Sequence, residues 1–456
     1  MNYSDTLSKY VDRQSISKNG LVEATGIDRS TFFQILSGKR FPTSEQADLI
    51  EKHLELATLE RKELKTLYER ERIGEKAWME REFVSRALRM IAEAREQSID
   101  IEINFIPEKI PRVGNIDGIY NIADYIKRIL LVELYAESKE GIDCFVSLDI
   151  LQNYGFFDIL KAIGADQRSR NNRIRQLVEF PVGELVFDQK NIEVIINYLF
   201  FLITQKLNYE TYCYYSNCPV RDHFGVLFPY YFVFSDKVIF INAEGDEAVI
   251  VDDPDILNKC RALIEKKIKL SKIIVSGFEN KEHYVKLIGE NKDVPLYIFE
   301  KKPGISFLCT EEFIEKYVPE DMHDWARWHC NALTERESYV EFISMEGLKE
   351  LMETGDVNEA GFTLNADQDD IQIAKEQMKK RFGKSLFILN SSVIPLSDNW
   401  SVTVVKDRFI LLVPYLTNDR ILYLTERNIV RAFSEFCENI EGYGGLMDIR
   451  DIQNLL

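Results

Sequence analysis

Lysine and arginine side chains crowd the start of the chain. Residues 1–40 hold Lys9, Arg13, Lys18, Arg29, Lys39 and Arg40 against Asp5, Asp12, Glu23 and Asp28. The 456-residue chain has a net charge of −18, so residues 41–456 carry −20. An acidic globule repels polyanions, whereas ammonium and guanidinium groups neutralise phosphate. This short basic segment is therefore where an anionic partner is tolerated.

Other chemistry finds less support. Gly383-Lys384-Ser385 has the tail of a phosphate loop, but Met378 stands where the first glycine belongs. It also follows a predicted helix and precedes a predicted strand, the reverse of the required order, and reads as a helix C-cap. Cys213, Cys218 and His223 could ligate zinc, yet their spacing is not that of a standard finger and a fourth ligand is missing. His323 and His329 are six residues apart, about 240° around a helix, so they share no face. No Gly-x-Ser-x-Gly elbow occurs. No catalytic residue, metal or cofactor is expected, and the chain reads as a non-enzyme.

The basic side chains need elements to position them, and Ser17 to Ser44 supplies the pattern. Ser17 can cap a short helix, Lys18 to Thr25, with Leu21 and Val22 on its inner face. Gly26 offers the left-handed backbone that stops it. Ile27 fills the corner and Asp28 caps a second helix from Arg29 to about Leu36, with Phe32 and Ile35 facing inward. Gly38 ends that helix, and Lys39-Arg40 precede Pro42 and a further helix capped by Ser44, carrying Ala47, Ile50 and Leu54. Two short helices joined by a glycine-containing turn make a helix-turn-helix.

This stretch resembles the Cro/repressor-type helix-turn-helix regulators, the xenobiotic-response-element class, through Leu21, Gly26, Ile27, Asp28, Phe32, Ile35, Gly38-Lys39 and Pro42. The likeness covers roughly the first 70 residues. It implies that the helix opening at Arg29 enters the major groove of DNA. Lys18 would contact the backbone. Arg29, Ser30, Thr31, Phe33 and Gln34 would face DNA, with Gln34 able to pair bidentately with adenine. Lys39 and Arg40 would neutralise phosphates at the groove edge. Three positions depart from the pattern. Gly20 replaces a polar helix former, Thr25 an aliphatic residue, and Phe33 a small polar one.

Beyond this segment, Thr58 to Arg72 and the run Met79, Phe83, Ala87, Met90, Ile91, Ala94 have helical spacing, with a charged linker from Glu69 to Lys76 between them. From residue 99 short strands alternate with helices. Strands are expected at Ile99–Phe105, Ile142–Leu148, Leu177–Phe180, Lys237–Asn242 and Ala248–Val251. Helices are expected at Ile119–Ala136, Asn191–Lys206 and from Pro254 to about Lys267. Asp236 to Ile241 matches Asp407 to Leu412 at an offset of 171, and Val249–Val251 matches Ile421–Tyr423 at 172. Either two lobes are related or strand-turn-strand-helix units look alike by chance. The order of elements resembles a phospholipase D-like domain, which implies a catalytically dead effector module here. The His-x-Lys signature is absent, the histidines sitting in His53-Leu54-Glu55, His223-Phe224-Gly225, His283-Tyr284-Val285, His323-Asp324-Trp325 and His329-Cys330-Asn331. The aromatic stretch from Tyr209 to Phe234 reads either as strand core or as an effector pocket.

The expected architecture is multidomain: an all-α helix-turn-helix domain at 1–72, a connecting helix at 73–98, and a mixed α/β effector region in two lobes, 99–270 and 271–456. Seven cysteines, an odd number, suit reduced thiols in a cytosol. The N-terminus has no signal-peptide pattern, and the most apolar window, Ile192 to Ile203, is too short to span a bilayer. The chain reads as a cytoplasmic, bacterial-type transcriptional regulator. Its expected partners are double-stranded DNA, a small-molecule effector and a second copy of itself, and no membrane. An enzyme with activity in residues 99–440 and a scaffold without DNA binding are the alternatives.

Overall fold

A computed structural model describes residues 2–94, 114–135, 141–164, 173–181, 195–199, 201, 203, 208–216, 226–278, 281–308, 310–334, 338–359, 362–415 and 421–447. The chain divides into two compact units, Met1–Glu82 and Phe83–Leu456.

In the first unit the described residues fold as helices: α1 Tyr3–Asp12, α2 Lys18–Thr25, α3 Arg29–Leu36, α4 Ser44–Lys52, α5 Thr58–Ile73 and the start of α6 Glu75–Glu93. Their inward faces build one core from Tyr3, Leu7, Leu21, Phe32, Ile35, Ile50 and Leu64, each no more than 2% exposed. Sequence reading missed α1, though Tyr3, Leu7, Tyr10 and Val11 have helical spacing behind Asn2, whose side chain accepts from Asp5 N at 2.8 Å. The α1 side chains tie it to α5: Glu63 accepts from the Tyr10 hydroxyl, and Arg13 meets Glu60 at 2.6 Å. The bond to Glu63 pushes the Tyr10 phenol up to about 12.

Two boundaries differ from expectation. The cap of α4 falls on Thr43, not Ser44, because Thr43 and Gln46 bond reciprocally as a capping box. The helix stops at Lys52, so Leu54 is buried just beyond it. The charged run from Glu69 to Lys76 is helical apart from Gly74, whose φ of +86° breaks α5 from α6.

Among the described residues the second unit is a mixed α/β body around a 14-stranded sheet. Its first seven strands are β1 Asn115–Asp117, β2 Ile142–Phe145, β3 Arg173–Pro181, β4 Asn208–Ser216, β5 Tyr230–Val233, β6 Val238–Ile241 and β7 Glu247–Val251. The rest are β8 Lys272–Phe278, β9 Leu296–Phe299, β10 Tyr339–Ser344, β13 Leu386–Leu389, β14 Trp400–Val405, β15 Phe409–Pro414 and β16 Ile421–Leu424; β11 Asp356–Glu359 and β12 Phe362–Asn365 form a separate hairpin.

Strand order repeats across the sheet. The first half runs β1-β7-β6-β5-β2-β3-β4 and the second β8-β16-β15-β14-β9-β10-β13. In each, antiparallel strands lead to three parallel ones, β2-β3-β4 or β9-β10-β13. Antiparallel pairing of β4 with β8, bulged between Thr211 and Tyr212, joins the halves. Strands β6 and β15, and β7 and β16, which carry the matches at 171 and 172, occupy equivalent places. Unbroken apolar runs such as Phe409–Pro414 are buried along their whole length, as strands covered on both faces must be.

The helices Ile119–Tyr135 and Pro254–Ile268 lie close to where expected, the latter capped by Asp253 with Pro254 in its first turn. Strand β2 ends at Phe145 because a helix begins at Leu148. The strand expected at Ile99–Phe105 lies outside the described residues. The helix expected at Asn191–Lys206 is described only at 195–199, 201 and 203, which are helical. Tyr209 and Tyr230 to Phe234 are buried strand core and its continuation, the core reading of that aromatic stretch. Cys144, Cys213, Cys260 and Cys437 are free and buried, whereas Cys330 is disulfide-bonded, a departure from uniformly reduced thiols. Cys218 and His223 lie outside the described residues. Among the described residues no helix is long and apolar enough to cross a membrane.

Candidate nucleic-acid interface

The turn is set by local chemistry at each end. Ser17 accepts from Gly20 N at 3.1 Å to open α2, and Gly26, at φ +67°, closes it with its N–H on the Val22 carbonyl. Asp28 accepts from Thr31 N at 3.0 Å to start α3. Phe32 and Ile35, both 0% exposed, fix which face of α3 points inward. The 3.6-residue period then turns Arg29, Ser30, Phe33 and Gln34 outward, all exposed, with Thr31 half-buried beside them.

The outward side chains hold one another. Arg29 lies over the Phe33 ring at 5.8 Å, and Phe33 meets Phe32 edge to face at 6.0 Å. Gln34 Nε2 sits 3.5 Å from Ser30 Oγ, a hydrogen bond weak enough to exchange for a base edge. After α3 the backbone turns through Gly38, at φ +71°, and the Gln34 carbonyl accepts from both Lys39 N and Arg40 N, at 2.9 and 3.2 Å. That carbonyl pins the basic pair to the end of α3. Arg40 Nη1 also donates to Thr31 Oγ1 at 3.3 Å. Arg29, Lys39 and Arg40 have no carboxylate partner among the described residues.

Lys18 differs. Its Nζ stands 2.7 Å from Asp12 Oδ1, so its charge is already shared with an acid. The three departures have local causes. A Cβ on Gly20 would come within 2.7 Å of Ile16 Cγ1. The buried Thr25 hydroxyl donates to the Leu21 carbonyl at 2.7 Å, which makes it tolerable at an aliphatic position. Phe33, 37% exposed, serves as a platform for Arg29. Beyond α3, Phe41 stacks on Tyr68 at 5.0 Å, and the Tyr68 hydroxyl donates to the Pro42 carbonyl at 3.3 Å. This bracing of the loop after Arg40 by α5 was not foreseen, since residues 41 and 68 are far apart in sequence.

The chemistry on offer is that of an anion and base-edge reader: three unpaired cations, three short polar side chains and an aromatic ring on one surface. No protein-family model and no curated protein matches the chain. Among solved structures the chain is similar to the archaeal chromatin protein TrmBL2, described as showing a novel mode of DNA binding, at 12% identity. The match covers 59% of this chain and 100% of that one with a TM-score of 0.23, a likeness too slight to carry an argument.

Proposed function

We propose that the chain is a sequence-specific DNA-binding transcriptional regulator whose first unit is an all-α helix-turn-helix domain. The observation that carries this reading is the outward face of α3, with Arg29, Ser30, Thr31, Phe33 and Gln34 set beside Lys39 and Arg40, which the Gln34 carbonyl holds in place. Helix α3 docks in the major groove, Gln34 pairs with adenine, Arg29 and Thr31 add base contacts, and Lys39 and Arg40 neutralise flanking phosphates. Lys18 contributes only by exchanging Asp12 for a phosphate. The second unit is a non-catalytic, cytoplasmic effector and dimerisation region that responds to a small molecule.

Genome-wide capture of DNA by the intact protein tests this reading. A recurring motif with two-fold symmetry is the expected outcome. Capture no greater than that of a protein with Arg29, Lys39 and Arg40 all replaced by alanine would overturn it.

A further inference from the structure

The second unit carries a basic stretch of its own. Residues 259–272 hold six basic side chains against Glu265 alone, a net +5 in a chain of −18. They cover the second half of the helix Pro254–Ile268 and the start of β8. Leu257, Cys260 and Ile264, each no more than 9% exposed, fix the inward face of that helix. At about 100° per residue, Lys259, Lys266 and Lys269 then fall within about 80° of one another on the opposite face, over about 15 Å of its length. All three are exposed. Arg173, also exposed, opens β3 and extends the row. It shares an open pocket of about 390 Å³ with Ala262, which lies between Lys266 and Lys269 around the helix axis.

The acids nearby are engaged elsewhere. Asp143 accepts from Arg175 with both carboxylate oxygens, at 2.7 and 2.9 Å, and Glu265 accepts from the same guanidinium at 2.7 Å. Glu210 accepts from the Tyr212 hydroxyl at 3.0 Å. Arg173, Lys259, Lys266 and Lys269 have no carboxylate at ion-pair distance among the described residues, whereas Lys301, Lys316 and Lys406 of the same unit each meet one. The helix dipole favours cations at a C-terminal end, which accounts for Lys266 and Lys269. It does not account for Lys259, more than two turns from that end, or for Arg173 on a strand. Such a row suits a polyanion. A bilayer fits it poorly, because an interfacial helix sinks its apolar face among the headgroups, and here that face is fixed in the core. Only Ile256, Leu263 and Leu270 stand exposed beside the lysines. A DNA backbone presents closely spaced phosphates along a stiff rod and needs no insertion.

We propose that Arg173, Lys259, Lys266 and Lys269 form a second, sequence-independent phosphate-binding surface for duplex DNA, carried by the second unit. The choice of DNA as the polyanion rests on the DNA-binding reading of the chain. The surface itself does not require α3 to read bases, so the two can fail separately.

Fluorescence anisotropy of the full-length protein with a labelled duplex of arbitrary sequence, across a salt series, tests the surface. Each lost phosphate contact flattens the slope of log affinity against log salt by about 0.9. Arg173→Ala, Lys259→Ala, Lys266→Ala and Lys269→Ala combined should flatten it by at least about 1.8, yet select the parent's consensus from random duplexes. Lys259→Ala alone, flattening it by about 0.9, keeps the test decisive should the fourfold variant misfold. Lys259→Arg, Lys266→Arg and Lys269→Arg combined should keep the parent slope, since the charge is retained. Arg29→Ala, Lys39→Ala and Arg40→Ala combined should lose the consensus and keep salt-dependent binding. The parent slope in both the fourfold variant and Lys259→Ala overturns the proposal and leaves α3 untouched. Loss of all duplex binding in the α3 variant overturns it as well. An α3 variant that keeps the parent's affinity and consensus overturns the reading of α3 instead and leaves the surface standing. Tighter binding to phosphatidylserine vesicles than to the duplex, lost in the fourfold variant, overturns the choice of DNA.

Discussion

Lys39 and Arg40 stand in water with no carboxylate beside them among the described residues, whereas Asp12 already engages Lys18. Counterion release makes this difference measurable. Removing the cation from one phosphate flattens the slope of log affinity against log salt by about 0.9. Lys39→Ala and Arg40→Ala should each show that change in anisotropy titrations of the intact protein across a salt series. Lys18→Ala should change the slope by less, because Asp12 competes for the ammonium. Unchanged slopes for Lys39→Ala and Arg40→Ala would reject the docked orientation. In the proposed docking Gln34 reads a base and does not anchor a phosphate. Among the described residues its amide meets only Ser30, at 3.5 Å, and is available to a base. Gln34→Ala should cost about 1–3 kcal/mol at one base position and relax preference there. Selection from random duplexes decides it: an identical consensus for the variant and the parent would remove Gln34 from the reading set.

At the scale of elements, the turn between α2 and α3 depends on backbone geometry more than on side-chain packing. Gly26 has φ +67° with nothing within 4 Å of where a Cβ would stand. Gly26→Ala therefore meets no clash, and its cost is that of a left-handed alanine, about 1–2 kcal/mol. Thr43→Ala removes one partner of a capping box, for about 1 kcal/mol. Thermal unfolding of the intact protein should show both variants lowering the transition of the first unit, and an unshifted transition in Gly26→Ala would mean that another residue stops α2. These helices were legible in the sequence because caps and stops act over three or four residues, so Ser17, Gly26 and Asp28 could be read in place. Three buried glutamates of the second unit were not. Glu300, Glu341 and Glu359 share no motif and lie 41 and 18 residues apart along the chain. Glu300 and Glu341 come together because β9 and β10 pair in parallel with Glu341 opposite Ile298, and Glu359 arrives from the separate β11–β12 hairpin, placements that long-range packing sets. The Lys18–Asp12 pair was not legible for a related reason: Asp12 sits at the end of α1, a helix that sequence reading had not drawn.

At the scale of the whole molecule, charge constrains how the proposed DNA binding can work. Residues 41–456 carry −20, so most of the chain adds repulsion rather than attraction as DNA approaches. In the proposed docking one α3 helix touches only a few base pairs, and three cations without a carboxylate partner among the described residues give a modest electrostatic contribution to affinity. A second DNA-binding unit on the same duplex is the remedy open to such a chain. Two half-sites about 34 Å apart present the same groove face to both copies, and joining the copies makes the second binding event intramolecular. The intact protein is therefore expected to sediment as a dimer and to protect two tracts related by two-fold symmetry, one helical turn or a multiple apart. Dilution below the dimer dissociation constant should weaken binding steeply, because each half-site alone is a poor target. Equilibrium sedimentation combined with footprinting measures both quantities on one sample. A monomer that protects a single asymmetric tract at full affinity would overturn the paired arrangement, leaving the acidic body to be offset within one chain.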